Sequence, residues 1–144
     1  LEKETEILAR ARLLFNTAHK IQADCNTLIE LTKNEKEVEL IAYHAAGIMV
    51  SSKYIVNPFK IFTVFNKGKA ALEDLISENF EAVELRYLRY TIQLNTPKIA
   101  GYSKNIADDR KILIEYIKAN RDSDLTKHMM VFIDDTKDAI QKEI

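Results

Sequence analysis

Three histidines and a single cysteine are the side chains best suited to proton transfer, nucleophilic attack or metal ligation in this chain. His19, His44 and His128 fall in three separate helical segments. Asp124 and His128 have the i, i+4 spacing that puts two ligands on one helix face, but two ligands do not hold a metal, and the pair reads more simply as a surface ion pair. Cys25 lies six residues from His19, a spacing that sends the two side chains to different faces and leaves the thiol without a local base. Cys25 therefore reads as a small buried hydrophobe, and a lone cysteine makes no intramolecular disulfide. Asp134, Asp135 and Asp138 resemble an acid cluster, yet they sit late in a helix, where acids oppose the dipole, and read as a solvated face. Gly47, Gly68 and Gly101 are too scattered to cradle a phosphate. No metal, cofactor or catalytic set is expected.

One segment combines charge and apolar character more informatively. Between Glu81 and Asn95 the apolar residues Val83, Leu85, Tyr87, Leu88, Ile92 and Leu94 spread over more than half of a helical wheel, wider than a one-sided surface helix requires. Inside that arc lie Glu84, Thr91 and Asn95, a polar seam that needs partners if buried. Arg86, Arg89 and Gln93 gather within about 60° on the other face. Paired guanidinium forks of this kind suit carboxylate recognition.

The elements that must position these residues are helices. Three Gly and two Pro in 144 residues are far below average usage, 47 % hydrophobic residues suffice for a core, and no apolar run approaches a membrane span. Apolar positions recur with helical spacing from Glu4 toward Thr32, from Val38 to Val56, from Pro58 through Phe62, Phe65, Leu72, Leu75 and Ile76, and from Glu81 to Asn95. Two further stripes begin at Ile106 and Leu125, the last running to Ile140. Asn57-Pro58 and Thr96-Pro97 mark boundaries, and 95–105 reads as a loop. The expected fold is all-α, about six antiparallel helices in one domain over 1–144.

A net charge of −1 gives no overall attraction to nucleic acid or anionic lipid. Locally the charges are uneven: between Glu39 and Glu73 there is no acid, while Lys53, Lys60, Lys67 and Lys69 all fall there, a solvated, mildly basic face or an anion site. The stretch 31–40 also superposes on 76–85 at an offset of 45, with Asn34/Asn79, Val38/Val83, Glu39/Glu84 and Leu40/Leu85 identical.

Recurring helix–turn–helix units with small and aromatic residues at close-packing positions resemble the tetratricopeptide (TPR) superfamily, although the period exceeds that family's 34 residues. From about 43 to 109 the residues Tyr43, Gly47, Asn57-Pro58, Lys60, Phe65, Gly68, Asn79, Glu84 to Arg89, Gln93, Asn95, Pro97, Gly101-Tyr102 and Asp109 resemble a family of small bacterial TPR-like proteins, often made with an export signal. That resemblance implies a right-handed αα superhelix and an extracytoplasmic location, and it implies no activity. It puts Arg86, Arg89 and Gln93 in a concave groove, extended by His44 beside Ile41 and Ile48. The start at Leu1, without an initiator methionine, suggests a trimmed or processed chain. The functional expectation is a noncatalytic interaction module that takes an extended peptide or an acidic partner on Arg86, Arg89, Gln93, His44 and Tyr102. The alternative is a small hydrolase or anion-binding enzyme with Arg86, Arg89, His44 and Tyr102 around the 95–105 loop.

Overall fold

A computed structural model describes residues 4–135 and 140–144. The protein is all-helical, with no strand among the described residues. Among the described residues eight α-helices follow in order: α1 Glu6–Ala18, α2 Gln22–Thr32, α3 Val38–Ser51, α4 Pro58–Glu78, α5 Val83–Asn95, α6 Ile106–Ala119, α7 Asp124–Asp135 and α8 Ile140–Glu143. Short 3₁₀ turns lie at Ser52–Tyr54 and Lys98–Ala100. The helices form two compact units, one ending at Phe80 and the other beginning at Glu81.

In the first unit the single helix expected from Glu4 to Thr32 is two helices. Their apolar register, Leu8, Ala11, Phe15, Ala18, then Cys25, Leu28 and Thr32, keeps helical spacing across the break, so periodicity cannot reveal it. The turn closes through the Thr17 carbonyl, which accepts from the amides of both Lys20 and Ile21, while the Thr17 hydroxyl donates to Asp24 at 2.6 Å. α2 then runs antiparallel to α3, with the Cys25 thiol 3.5 Å from the Gly47 carbonyl and Ile29 and Thr32 opposite His44. Phe15 packs edge-on against Tyr43 at 5.7 Å, joining α1 to α3.

α4 crosses α3 at a point where only glycine fits. A Cβ on Gly68 would lie 2.7 Å from the Ala45 carbonyl oxygen and 2.8 Å from Met49 Cγ, so the two backbones meet directly. Asn57 starts α4 as expected, its side chain accepting from the amides of Phe59 (3.0 Å) and Lys60 (3.4 Å), with Pro58 in the first turn. At 21 residues α4 is longer than the 14-residue α3, a surplus of about 10 Å at 1.5 Å per residue. With Gly68 level with Ala45 and Met49, the first turns of α4 run past Ser51, the last residue of α3.

In the second unit α5 and α6 are antiparallel, joined by the loop that the Thr96-Pro97 boundary predicts. Gly101 takes a left-handed φ of 70° there. α7 begins under the Ser123 hydroxyl, which accepts from the Thr126 amide at 3.0 Å. The last stripe, expected to run to Ile140, is described as α7 and the short α8; Asp138 lies outside the described residues. The sequence repeat marks one local event twice: a helix ends at Thr32 or Glu78, and Val38 or Val83 is the first residue of the next.

Candidate functional site

The polar face of α5 is an internal clamp rather than an open stripe. Asp109, in the first turn of α6, is fully buried, and Arg89 grips it with two bonds, Nε to Oδ2 at 2.7 Å and Nη2 to Oδ1 at 2.8 Å. Arg86 adds Nη1 to Oδ1 at 3.3 Å. One turn on, Gln93 and Asn105 bond reciprocally: Gln93 Nε2 donates to Asn105 Oδ1 (2.9 Å), and the Asn105 amide donates to Gln93 Oε1 (3.1 Å). These contacts tie α5 to the N-terminal end of α6, where the helix dipole also favours the Asp109 carboxylate.

The expected groove must therefore be corrected. Arg89 is 4 % exposed and Gln93 1 %, Arg86 is largely covered, and Tyr102 is buried. The wheel separated these residues from the apolar arc correctly, but it carried no information that α6 would cover them with a carboxylate. His44 belongs to the other unit. It is half-buried, its Nδ1 3.1 Å from both the Ile29 carbonyl and the Thr32 hydroxyl. A ring nitrogen facing a carbonyl carries the proton, so His44 links α3 to the end of α2. Of the set proposed for hydrolysis, both guanidiniums are committed to Asp109.

Other expected residues also settle into structure. Glu84 and Thr91 are buried as a seam requires, the Thr91 hydroxyl donating to Leu88 O at 2.9 Å, whereas Asn95 is exposed and donates to Thr91 O at 2.7 Å. His128 is buried beside Tyr87, ring centroids 5.3 Å apart, while Asp124 is exposed; the surface-pair reading fails because α7 turns the imidazole inward. The Tyr87 hydroxyl has no hydrogen-bond partner among the described residues. Burial, and then the nearby Glu84, push its pKa up. Cys25 is fully buried, and burial raises its thiol to about 11, the opposite of an activated nucleophile. Among the described residues no group of His, Cys, Asp and Glu could hold a metal ion, and no helix is long and apolar enough to cross a membrane.

The surface that stands out lies at one end of the first unit. Val56, Phe59 and Phe62 are 94 %, 85 % and 70 % exposed. Phe62 was expected in the core stripe of its helix and Val56 at the end of the preceding one. Both are outside because α3 stops at Ser51 and only the short Ser52–Tyr54 turn continues beside the start of α4, covering one side of it and leaving Phe59 and Phe62 in solvent. Exposed Lys53 and Lys60 flank these side chains. The unequal lengths of the two helices are the signal that finds this patch, and periodicity by itself does not carry it.

Comparison of the chain with family models, with curated proteins and with solved structures gives no match.

Proposed function

We propose that the protein is a noncatalytic helical docking module, TPR-like in its antiparallel helix pairs, that takes an acidic partner on the apolar, lysine-flanked end of its first unit. The observation that carries this reading is the exposure of Val56, Phe59 and Phe62, spaced three residues apart across the start of α4, since large apolar side chains clustered on a surface mark a contact site rather than ordinary scatter. Their neighbours supply the charge preference: no Asp or Glu occurs from Leu40 to Leu72. An extracytoplasmic location, implied by the TPR-like resemblance, belongs to the same proposal.

The test is capture from the organism's own extract, membranes included, on immobilised protein, with a Phe59→Ser/Phe62→Ser variant in parallel. The wild type should retain material that the variant loses and that raised salt releases. Identical retention by both would remove this surface from the function.

A further inference from the structure

We infer that the exposed end of the first unit docks on an anionic lipid bilayer. The inference rests on the docking reading above and names its partner.

Two chain segments are fastened together at this end. The Lys53 ammonium donates to the His19 carbonyl and the Tyr54 hydroxyl to the Ala18 carbonyl at 2.5 Å, so the α1–α2 turn and the α3–α4 connection share one edge. The turn contributes exposed Lys20 and Ile21, and the connection and the start of α4 contribute Lys53, Val56, Phe59 and Lys60. With Lys53 committed to the His19 carbonyl, Lys20 and Lys60 are the exposed ammonium groups of this end, the arrangement in which such groups stay at phosphate level while aromatic side chains enter the acyl boundary.

Charge along α4 supports the same surface. Lys60 lies in its first turn, Lys67 and Lys69 beside its midpoint, and Glu73, Asp74 and Glu78 in its last turns, with no acid in the first turn and no base in the last. Lys60 and the C-terminal acids oppose the helix dipole, so local helix stability does not account for their placement. Lys60 is the charge that this placement sets beside the exposed phenylalanines. Shape decides between partners. A helix start overhanging its neighbour is a projection, which a protein must meet with a matching pocket, whereas a bilayer interface accepts it without one.

The experiment is co-sedimentation of the full chain with phosphatidylcholine vesicles with and without phosphatidylserine. Binding should require phosphatidylserine and fall as salt rises. Phe59→Ser/Phe62→Ser should weaken it by at least about tenfold, because each aromatic ring is worth more than a decade in partitioning. Lys20→Gln/Lys60→Gln should weaken it too, with circular dichroism unchanged in both variants. The chain has no tryptophan, so Phe59→Trp provides a unique probe: its emission should shift to the blue and be quenched by lipids brominated on the acyl chain. No binding, binding indifferent to phosphatidylserine, or an unquenched Trp would overturn the lipid assignment. If vesicle binding fails while a soluble acidic protein is still captured through Phe59 and Phe62, docking stands and lipid falls. If both fail, both readings fall.

Discussion

The α5–α6 clamp and the start of α4 invert the usual distribution of polar and apolar side chains. In the clamp, two arginines, a glutamine and an aspartate lie inside, every named group bonded across the helix pair. At the start of α4, two phenylalanines and a valine lie outside. A charged face was the sequence's best candidate for binding and is structural, while an apolar stripe that looked like core is the exposed surface. The difference teaches that a side chain's role follows from the length and charge of the neighbouring helix, not from its own hydropathy.

The sharpest way to break the comparison is Asp109→Ala. It leaves two guanidiniums without their buried carboxylate and should cost about 3–5 kcal/mol in urea unfolding. A loss below about 1 kcal/mol, as for an exposed pair, would return Arg86 and Arg89 to the surface role. Gly68→Ala tests whether α3 and α4 are held at a fixed separation. Its Cβ meets backbone at 2.7 Å, and a stability loss of roughly 1–3 kcal/mol is expected, against none if the helices slide apart freely.

Cys25 probes the interior of the first unit by pH. A thiol raised from 9.0 to about 11 holds its proton more tightly folded than unfolded. Its contribution, of order 2 kcal/mol, is therefore complete below about pH 9 and lost as pH rises toward 11. Thiol-disulfide reagents at pH 8 should react slowly until denaturant is added, and Cys25→Ala should remove that pH dependence. Fast labelling of the native chain would show that the site is open.

Tyr87→Phe deletes a buried hydroxyl that no group among the described residues satisfies, so the variant should be as stable as the wild type or more stable by up to about 1 kcal/mol. A clear loss of stability would mean that the hydroxyl is paired. Smallest of all, Phe59→Ser should change stability by no more than about 0.5 kcal/mol, as expected where a side chain is already in water. A large loss would mean that this ring is packed and would dissolve the contrast with the clamp.

Much of the helical layout was legible. Asn57 caps α4 and Thr96-Pro97 ends α5 where expected, because caps and proline act through the few residues beside them. The turn at His19 to Ile21 was not legible, since neither glycine nor proline marks it and the apolar register passes through unchanged. In the site, segregation of Arg86, Arg89 and Gln93 from the apolar arc was visible on the wheel, and the burial of Glu84 follows from its place within that arc. The identity of what faces them was not, because Asp109 lies twenty residues beyond Arg89 and approaches it only through the antiparallel return of α6.

By itself, then, the sequence determined an all-helical chain, most of its helix boundaries and the polar and apolar faces of α5, all consequences of interactions between residues a few positions apart. Tertiary structure decided which of those faces meets solvent. That choice depends on where one helix ends beside another and which charge it brings, quantities that no window of local sequence contains.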